Sequence, residues 1–482
     1  MAVYLGLDVG TSHLTALAVD AATGEALARR SVANSAETTA PEDARRGRSE
    51  WDARAMVRLA WEAARAAAGA LRGRATVAGV GVCGQMHGMC LVQGGEPVTP
   101  FVGWQDGRGD EPLPGGAVTY AQRARELGRG EGDRLASGMM GVTLYWLREQ
   151  GFRFAPGMVA CLIPDLLVSW LTGEPPCADP SNADSAGLFD PVARRWRGGL
   201  AERLGLPNYL LPPLRSALAL AGWLRPELAA ELGAAGPVPV TVAIGDNQAS
   251  YAGSVADPRR DVALTLGTGG QLSAHSPAYL ADAELESRCY LDGGYLVVDA
   301  ELCGGESYAL LADFYRAVGR GLLGVEADIP DGELYERMNR LAAGAPPGAG
   351  GVACQPLFAG TRRDPRLRAS WSGIGAETLT PAHLTRALLE GLVGRFAESY
   401  RRMRALGLGP HGRLVGAGNA LRRNPLLRRI AAEAFGLPLA LPVHAEEAAY
   451  GAALVAAVGA GEFPDLAAAA RLIRYETDCF TS

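Results

Sequence analysis

The chain has 482 residues, 48% of them hydrophobic, and a formal net charge of −6. That length exceeds one ordinary domain and points to about two to four, while the lack of a basic surplus argues against a nucleic-acid partner. No stretch reaches the roughly 18 uninterrupted apolar residues of a membrane span. The start "MAVYLGLDVG" has neither a basic segment nor a long apolar core, so no membrane partner and a cytoplasmic location are expected. All 46 basic residues are arginine, which excludes a lysine Schiff base and a Walker-type phosphate loop. The cysteines at 83, 90, 161, 177, 289, 303, 354 and 479 are scattered, without C-x-x-C spacing, as reduced thiols in a cytoplasm would be.

In chain order, "AVYLGLDVG" (2–10) and "LTALAVDAATGEALARRSV" (14–32) read as three strands, the last two joined by the turn "DAATGE". Residues 52–73 carry apolar side chains at helical spacing and end at glycine. A buried strand follows in "TVAGVGVCGQ" (76–85), with strand-like character again in "QMHGMCLV". The segment 173–191 has the Pro, Gly and Ala content of a connection, as does 342–351. "VPVTVAIGD" (238–246) reads as a strand, "NQASYAGSVA" as a short helix, and 261–276 as a hairpin with glycines at its bend. A long amphipathic helix over 381–407, a strand into a glycine-rich turn at 412–420, and helices at 424–436 and 446–461 complete the pattern.

This order is α/β without simple alternation, and one architecture is used twice. Each copy has a hairpin with "GT" at its bend, "DVGTS" (8–12) and "LGTGG" (266–270). The main boundary is expected after residue 245, giving halves 1–245 and 246–482 with a cleft between them, where small ligands usually bind.

Several residues stand out for chemistry. Asp246 lies where a strand turns into a helix, and its residue type suits either a helix cap or a functional acid. With no lysine, phosphate binding must rest on backbone N–H groups, hydroxyls, arginine or a metal, and the two glycine bends supply the first of these. Asp8 before the first bend suits an Asx turn or a magnesium ligand acting through oxygen. "GVGVCG" (79–84) fits the spacing of the dinucleotide fingerprint, but its glycines fall inside a strand rather than between a strand and a helix, which argues against that site. "GQMHG" (84–88) and "WQDGR" (104–108) gather imidazole, indole, carboxamide, carboxylate and guanidinium, the groups that bind vicinal hydroxyls and cover a C–H face. "GAGNALRRN" (416–424) suits a plain strand-to-helix turn or a close seat for an adenine ring, and Glu446 and Glu447 match the dipole of a helix start.

Taken in order, "DVGTS", "GQMHG", "WQDGR", "SNADSAGLFD", "GDNQAS", "LGTGG", "GAGNALRRN" and "EEAAYGAAL" resemble the FGGY family of carbohydrate kinases, in the actin and hexokinase superfamily. "GQMHG" is shared with xylulose-phosphorylating members, while the combination of "WQDGR", "GDNQAS" running on to "DVALTLGTGGQLSAHSP", and "AELCGGESYALL" (300–311) is most similar to sedoheptulose-phosphorylating ones. The resemblance implies two actin-like (ribonuclease H-like) ATPase domains closing on ATP, Mg²⁺ and a sugar, and it matches Asp246 to the base that deprotonates a primary hydroxyl. It matches Asp8 to Mg²⁺, and Thr11, Ser12, Gly267, Thr268, Gly269 and Gly270 to the phosphate bends. Gln85, Met86, His87, Trp104, Asp106, Arg108 and Asn247 fall on sugar-binding segments, with Gly416, Gly418, Asn419 and Asn424 on the adenosine segment. The family's usual basic residue past the first bend is Thr15 here, and His13 stands where a small hydroxyl residue is usual. That departure leaves the phosphoryl donor open and admits a non-catalytic sugar or nucleotide sensor as an alternative, beside xylulose or another polyol as acceptor. A homodimer is compatible with the sequence.

Overall fold

The structure, a computed structural model, describes the chain apart from residues 132–133, 235, 268, 303, 326–328, 362–363, 365 and 477–482. Two compact units emerge. The first comprises Met1–Ala256, Arg288–Tyr295 and Glu446–Arg474, and the second Asp257–Ser287 and Leu296–Ala445 with the segment from Tyr475. A single cut after residue 245 would instead have placed the helix opened by Asp246 and the late small-residue helix in the second half.

The first unit is built on a sheet in the order Leu220–Trp223, Pro239–Thr241, Thr76–Gly84, Ala2–Val9, His13–Asp20, Ala26–Ala33, with Ile244–Gly245 also paired to Thr76–Gly84. Ala2–Val9 runs antiparallel to His13–Asp20 and parallel to Thr76–Gly84. In the second unit Asp261–Leu266 is antiparallel to Gly270–Ser276 and parallel to Arg413–Ala417. The same three-strand arrangement therefore occurs twice, as the sequence led us to expect.

Ala2–Val9 is apolar almost throughout because both of its faces are covered. Leu5 and Leu7 point to one side and share a core with Met56 and Ala60 of the helix Ala53–Gly69. Gly6 points to the other, where an added Cβ would lie 1.7 Å from the Ala449 carbonyl oxygen of the helix Glu447–Gly459. Gly81 on the neighbouring strand meets the Ala452 oxygen at 2.0 Å in the same sense. Helix-to-helix contact is equally close, since a Cβ on Gly253 would stand 1.9 Å from the Glu447 oxygen and one on Gly451 1.9 Å from that of Ala249. The small residues of 446–461 are thus what lets this helix lie against both the sheet and the helix Asp246–Ser254. Val262, Leu264, Phe396, Leu414 and Ile430 belong to the core of the second unit.

Three local expectations shift. Ala53–Gly69 ends four residues before Gly73. Residues 85–88 form no strand, and extended pairing resumes with the bridge of Met89 to Val102 and the strand Cys90–Gln93. The strand expected over 238–246 is broken into Pro239–Thr241 and Ile244–Gly245 because the Val242 N–H donates to the Ala219 oxygen while the Ala243 oxygen accepts from Asn182 Nδ2.

The packing makes a direct prediction. Gly81→Ala should lower the urea midpoint, with a loss of about 2 kcal/mol or more from overpacking against rigid backbone. Gly69→Ala, whose Cβ would meet nothing within 4 Å, should be neutral or stabilising.

Candidate active site

Register alone assembles an acidic centre in the first unit. Asp8 is the cross-strand partner of Cys83 and Val9 that of Gly84, while on the other side of the same strand Ile244 pairs with Cys83 and Gly245 with Gly84. The strand ends therefore bring Asp8, Cys83 and the start of the helix Asp246–Ser254 together. Gly245, not Asp246, is the cap of that helix. Asp246 is its first residue, and its Oδ1 accepts from the Asn247 N–H at 2.7 Å.

Both carboxylates are half-buried by accessible surface, yet enclosed by protein atoms deeply enough to penalise the charged form. Burial raises the Asp246 pKa to about 6 against the opposing pull of the Asn247 amide and the Arg288 guanidinium. Burial raises Asp8 further, to about 7, helped by repulsion from Asp246 and Glu446. Among the described residues the hydrogen bond Asp8 receives comes from Cys83 Sγ at 3.7 Å; it is not an Asx turn. Glu446 is held by Arg29 at 2.5 Å. Opposite Asp8 on the next strand stands Thr15, buried, with its hydroxyl 3.0 Å from that of Ser31.

The loop after Thr76–Gly84 is tightly specified. Gln85 is 2% exposed; its Oε1 accepts from the Thr11 hydroxyl at 3.4 Å, and that hydroxyl accepts from the Trp104 indole N–H at 3.1 Å. Gln85 Nε2 is buried and has no partner among the described residues. Met86 is buried, and its Sδ would lie 2.9 Å from a Cβ on Gly245. His87 adopts a positive φ of 62°, held by a bond from its N–H to Ser185 Oγ at 3.0 Å and by contact of its Nδ1 with the Ser185 oxygen at 2.8 Å. A carbonyl only accepts, so Nδ1 carries the proton and Nε2 is the acceptor of the neutral ring.

Asp106 and Arg108 are placed differently from Trp104. Asp106 is 1% exposed, and its two oxygens accept from the Ser49 and Arg108 amides and from Arg108 Nε and Nη2. Those bonds fill a carboxylate's acceptor capacity. Arg108 reaches Glu50 Oε1 at 2.6 Å and lies over Trp146, 4.8 Å from the ring centroid. The pair is a buried clasp under the loop that carries Trp104, itself 40% exposed.

Residues 173–191 do not behave as a solvated connection. Cys177 to Phe189 are buried almost throughout. Ser181 Oγ accepts from the Gly245 N–H at 3.1 Å, Asn182 Nδ2 donates to Asp165 and to the Ala243 oxygen, and Ser185 holds His87. Asp184 accepts from Arg134 and from the Cys289 N–H. This segment fixes both the loop at 85–88 and the approach to Asp246, and Arg288, next to Cys289 in the chain, donates to Asn247 Oδ1 at 3.3 Å. The dense run of small polar residues "DPSNADS" is the signal that marks it, since such residues are buried only where each has a partner.

In the second unit the bend after Asp261–Leu266 is closed by a bond from the Gly267 N–H to the Gly269 oxygen at 2.9 Å and braced by one from the Gly305 N–H to the Gly267 oxygen at 2.7 Å. Thr268 lies outside the described residues. Gly418, at φ 84°, passes so close to Leu266 that a Cβ would stand 2.4 Å from its oxygen. A cavity of about 500 Å³ opens here, lined by Gly267, Gly304, Tyr308, Asn339, Asn419 and Asn424 among others. Gly416 is not part of its lining: it makes room in the core for Leu441 and Leu421. Tyr308, Tyr335 and Asn339 were not singled out from the sequence.

Against known proteins, residues 3–253 match the N-terminal domain of the FGGY family of carbohydrate kinases and residues 262–460 its C-terminal domain. The chain belongs to this family; it is a carbohydrate kinase, a phosphotransferase, with the two-domain actin-like fold. Sedoheptulokinase of Mus musculus is 29% identical over 94% of this chain and 97% of its own. Glycerol kinase of Thermus brockianus is 31% identical over 76% and 72% respectively. A crystal structure of a xyloylose kinase from Brucella ovis superposes with a TM-score of 0.80 at 25% identity, covering 97% of this chain and 92% of that one. No helix among the described residues is long and apolar enough to cross a membrane.

The buried acids fix how stability depends on pH. Asp165, buried, with its pKa raised to about 8, and Asp179, raised to about 6, join Asp8 and Asp246 in holding protons in the folded state that the unfolded chain has released. Unfolding then releases protons, so stability falls as pH rises through this range. His411, lowered to about 4, acts in the opposite sense, but only below its ordinary value near 6.5. Thermal unfolding of the ligand-free protein should therefore occur at a higher temperature at about pH 6.5 than at about pH 8.

Proposed function

We propose that the protein transfers the γ-phosphoryl group of ATP to the primary hydroxyl of a ketose, with sedoheptulose the first acceptor and xylulose the second. Asp246 carries the reading: a carboxylate at the first turn of a helix, desolvated to a pKa of about 6 and ionised at neutral pH. In that role it takes the hydroxyl proton as the sugar oxygen bonds to phosphorus, the bond from phosphorus to the bridging oxygen breaks, and ADP leaves. Such transfer needs alignment, charge neutralisation and a positioned base.

The unpaired Gln85 Nε2, the acceptor nitrogen of His87 and the indole face of Trp104 suit a polyhydroxylated acceptor. Asp106 and Arg108 serve by holding the Trp104 loop rather than by touching sugar. Thr11 and Ser12 in one unit, and Gly267 to Gly270 in the other, are the phosphate bends, while the cavity with Asn419 and Asn424 takes the adenosine. Asp8, with one weak thiol donor and two acidic neighbours, suits a cation. Among the described residues no group of three or more His, Cys, Asp or Glu could hold a metal, which fits Mg²⁺ that keeps waters and phosphate oxygens in its shell. Bound there, the ion would supply charge neutralisation at the phosphates. Sedoheptulose leads because the mouse sedoheptulokinase aligns along 94% of this chain.

Coupled ADP release over sedoheptulose, xylulose, ribulose, fructose, gluconate and glycerol should give the highest kcat/KM with sedoheptulose; release without any sugar dependence overturns the reading. Asp246→Asn should lower kcat by about 10²–10⁴-fold, the usual worth of a general base, with ADP affinity nearly unchanged. The kcat/KM of the native enzyme should fall as pH drops through about 6. In Arg288→Met that acid limb should move to higher pH, because a charge that favours the ionised base is gone; an unmoved limb would dismiss Arg288 from this role.

A further inference from the structure

We infer that Asn339 reads the base of the nucleotide, its carboxamide N–H donating to an unprotonated ring nitrogen of a purine in the second unit's cavity. The inference rests on the nucleotide assignment above. Asn424 caps the helix Pro425–Phe435, its Oδ1 accepting from the Leu427 N–H at 3.0 Å. That fixes the orientation of its amide, so Asn424 Nδ2 must be the group that donates to Asn339 Oδ1 at 2.7 Å. The Tyr308 hydroxyl meets the same oxygen at 2.6 Å, and burial holds its phenol well above the usual range, so it stays a protonated donor.

Two donors fill the lone pairs of Asn339 Oδ1. The amide of Asn339 is thereby locked with its nitrogen turned the other way, and that nitrogen has no partner among the described residues. Asn339 lines the cavity, as do Tyr308 and Tyr335 with rings 5.6 Å apart, and Leu389, Leu392 and Leu427. Tyr335 precedes Asn339 by one turn of the helix Asp331–Gly344, placing both on one face. An oriented donor among aromatic and aliphatic groups matches a flat heteroaromatic ring with an acceptor nitrogen at its edge. The family resemblance that points to Asn419 and Asn424 does not reach Asn339, which the fold supplies from the helix Asp331–Gly344.

The test is calorimetric binding of ADP and of its 1-deaza, 3-deaza and 7-deaza analogues to the full-length protein. For the native chain, one analogue should bind about tenfold or more weakly than ADP, a factor that corresponds to one lost hydrogen bond. All three binding within about twofold of ADP overturns the inference without need of a variant. Asn339→Asp keeps an acceptor for Asn424 and Tyr308 but turns an oxygen toward the ligand; it should weaken ADP at least about tenfold and leave the already weakened analogue little changed. An equal loss for every ligand marks a merely structural residue and also overturns the inference. If native protein binds ADP but Asn339→Asp binds it equally well, only the base-reading role falls. If native protein binds no ADP, the nucleotide assignment falls with it.

Discussion

The parallel register that sets Ala2–Val9 and Ile244–Gly245 on either side of Thr76–Gly84 is the constraint on which the site depends. It brings Asp8 and Asp246 to adjoining strand ends and puts two carboxylates into one poorly hydrated place. Like charges so placed cannot both ionise freely. Burial raises both pKa values, and repulsion from Asp246 adds to the rise at Asp8, so that a proton or a cation there relieves the charge. Nothing on the covered face allows the strands to separate, because Gly6 and Gly81 admit the helix Glu447–Gly459 against the sheet at backbone contact. A side chain at either glycine would push away the helix preceded by Glu446, which itself contributes to the charge felt by Asp8.

Around this centre the polar groups are held from far along the chain. Ser181 meets Gly245, Asn182 meets Ala243, and Ser185 meets His87. Each bond satisfies a backbone or side-chain group that would otherwise be buried and unpaired, at a cost of about 1–3 kcal/mol. Among the described residues the Gln85 amide nitrogen, oriented by Thr11, is left without an acceptor, and Asn182 Oδ1 and Gln248 Oε1 are left without a donor. Under the proposed function a hydroxyl-rich ligand would supply the acceptor that Gln85 lacks, to a donor oriented before the ligand arrives.

Local signals made much of this legible. The long helix expected over 381–407 is found as Pro381–Ala405, opened by Pro381 and capped by the Thr380 side chain. Both "GT" hairpins, the strand holding "GVGVCG" and the small-residue helix appear where the spacing of apolar residues and glycines puts them. What local pattern does not contain is the identity of a distant partner. "WQDGR" offers a carboxylate and a guanidinium that look available until Ser49 and Glu50 are brought against them. Residues 173–191 have the composition of a linker, and only the tertiary fold shows that their side chains are consumed in bonds to 87, 243 and 245. Asn339 carries no motif, and its meaning arises from the cap geometry of Asn424.

Thr15 shows how a single departure from the family pattern redistributes charge. Directly opposed residues of antiparallel strands share a face, so an arginine at 15 would stand beside Asp8 and favour its ionised form. Thr15 instead pairs its hydroxyl with Ser31, and the nearby cations serve other groups, Arg29 holding Glu446 and Arg288 reaching Asn247. Burial and acidic neighbours then govern Asp8, whose pKa of about 7 leaves it partly protonated at neutral pH. Under the proposed function, a cation binding at Asp8 must displace that proton, so metal affinity in this enzyme is coupled to proton release and rises with pH. On that same proposal, the charge that a basic residue at 15 would provide permanently is delivered only when the metal and its nucleotide bind.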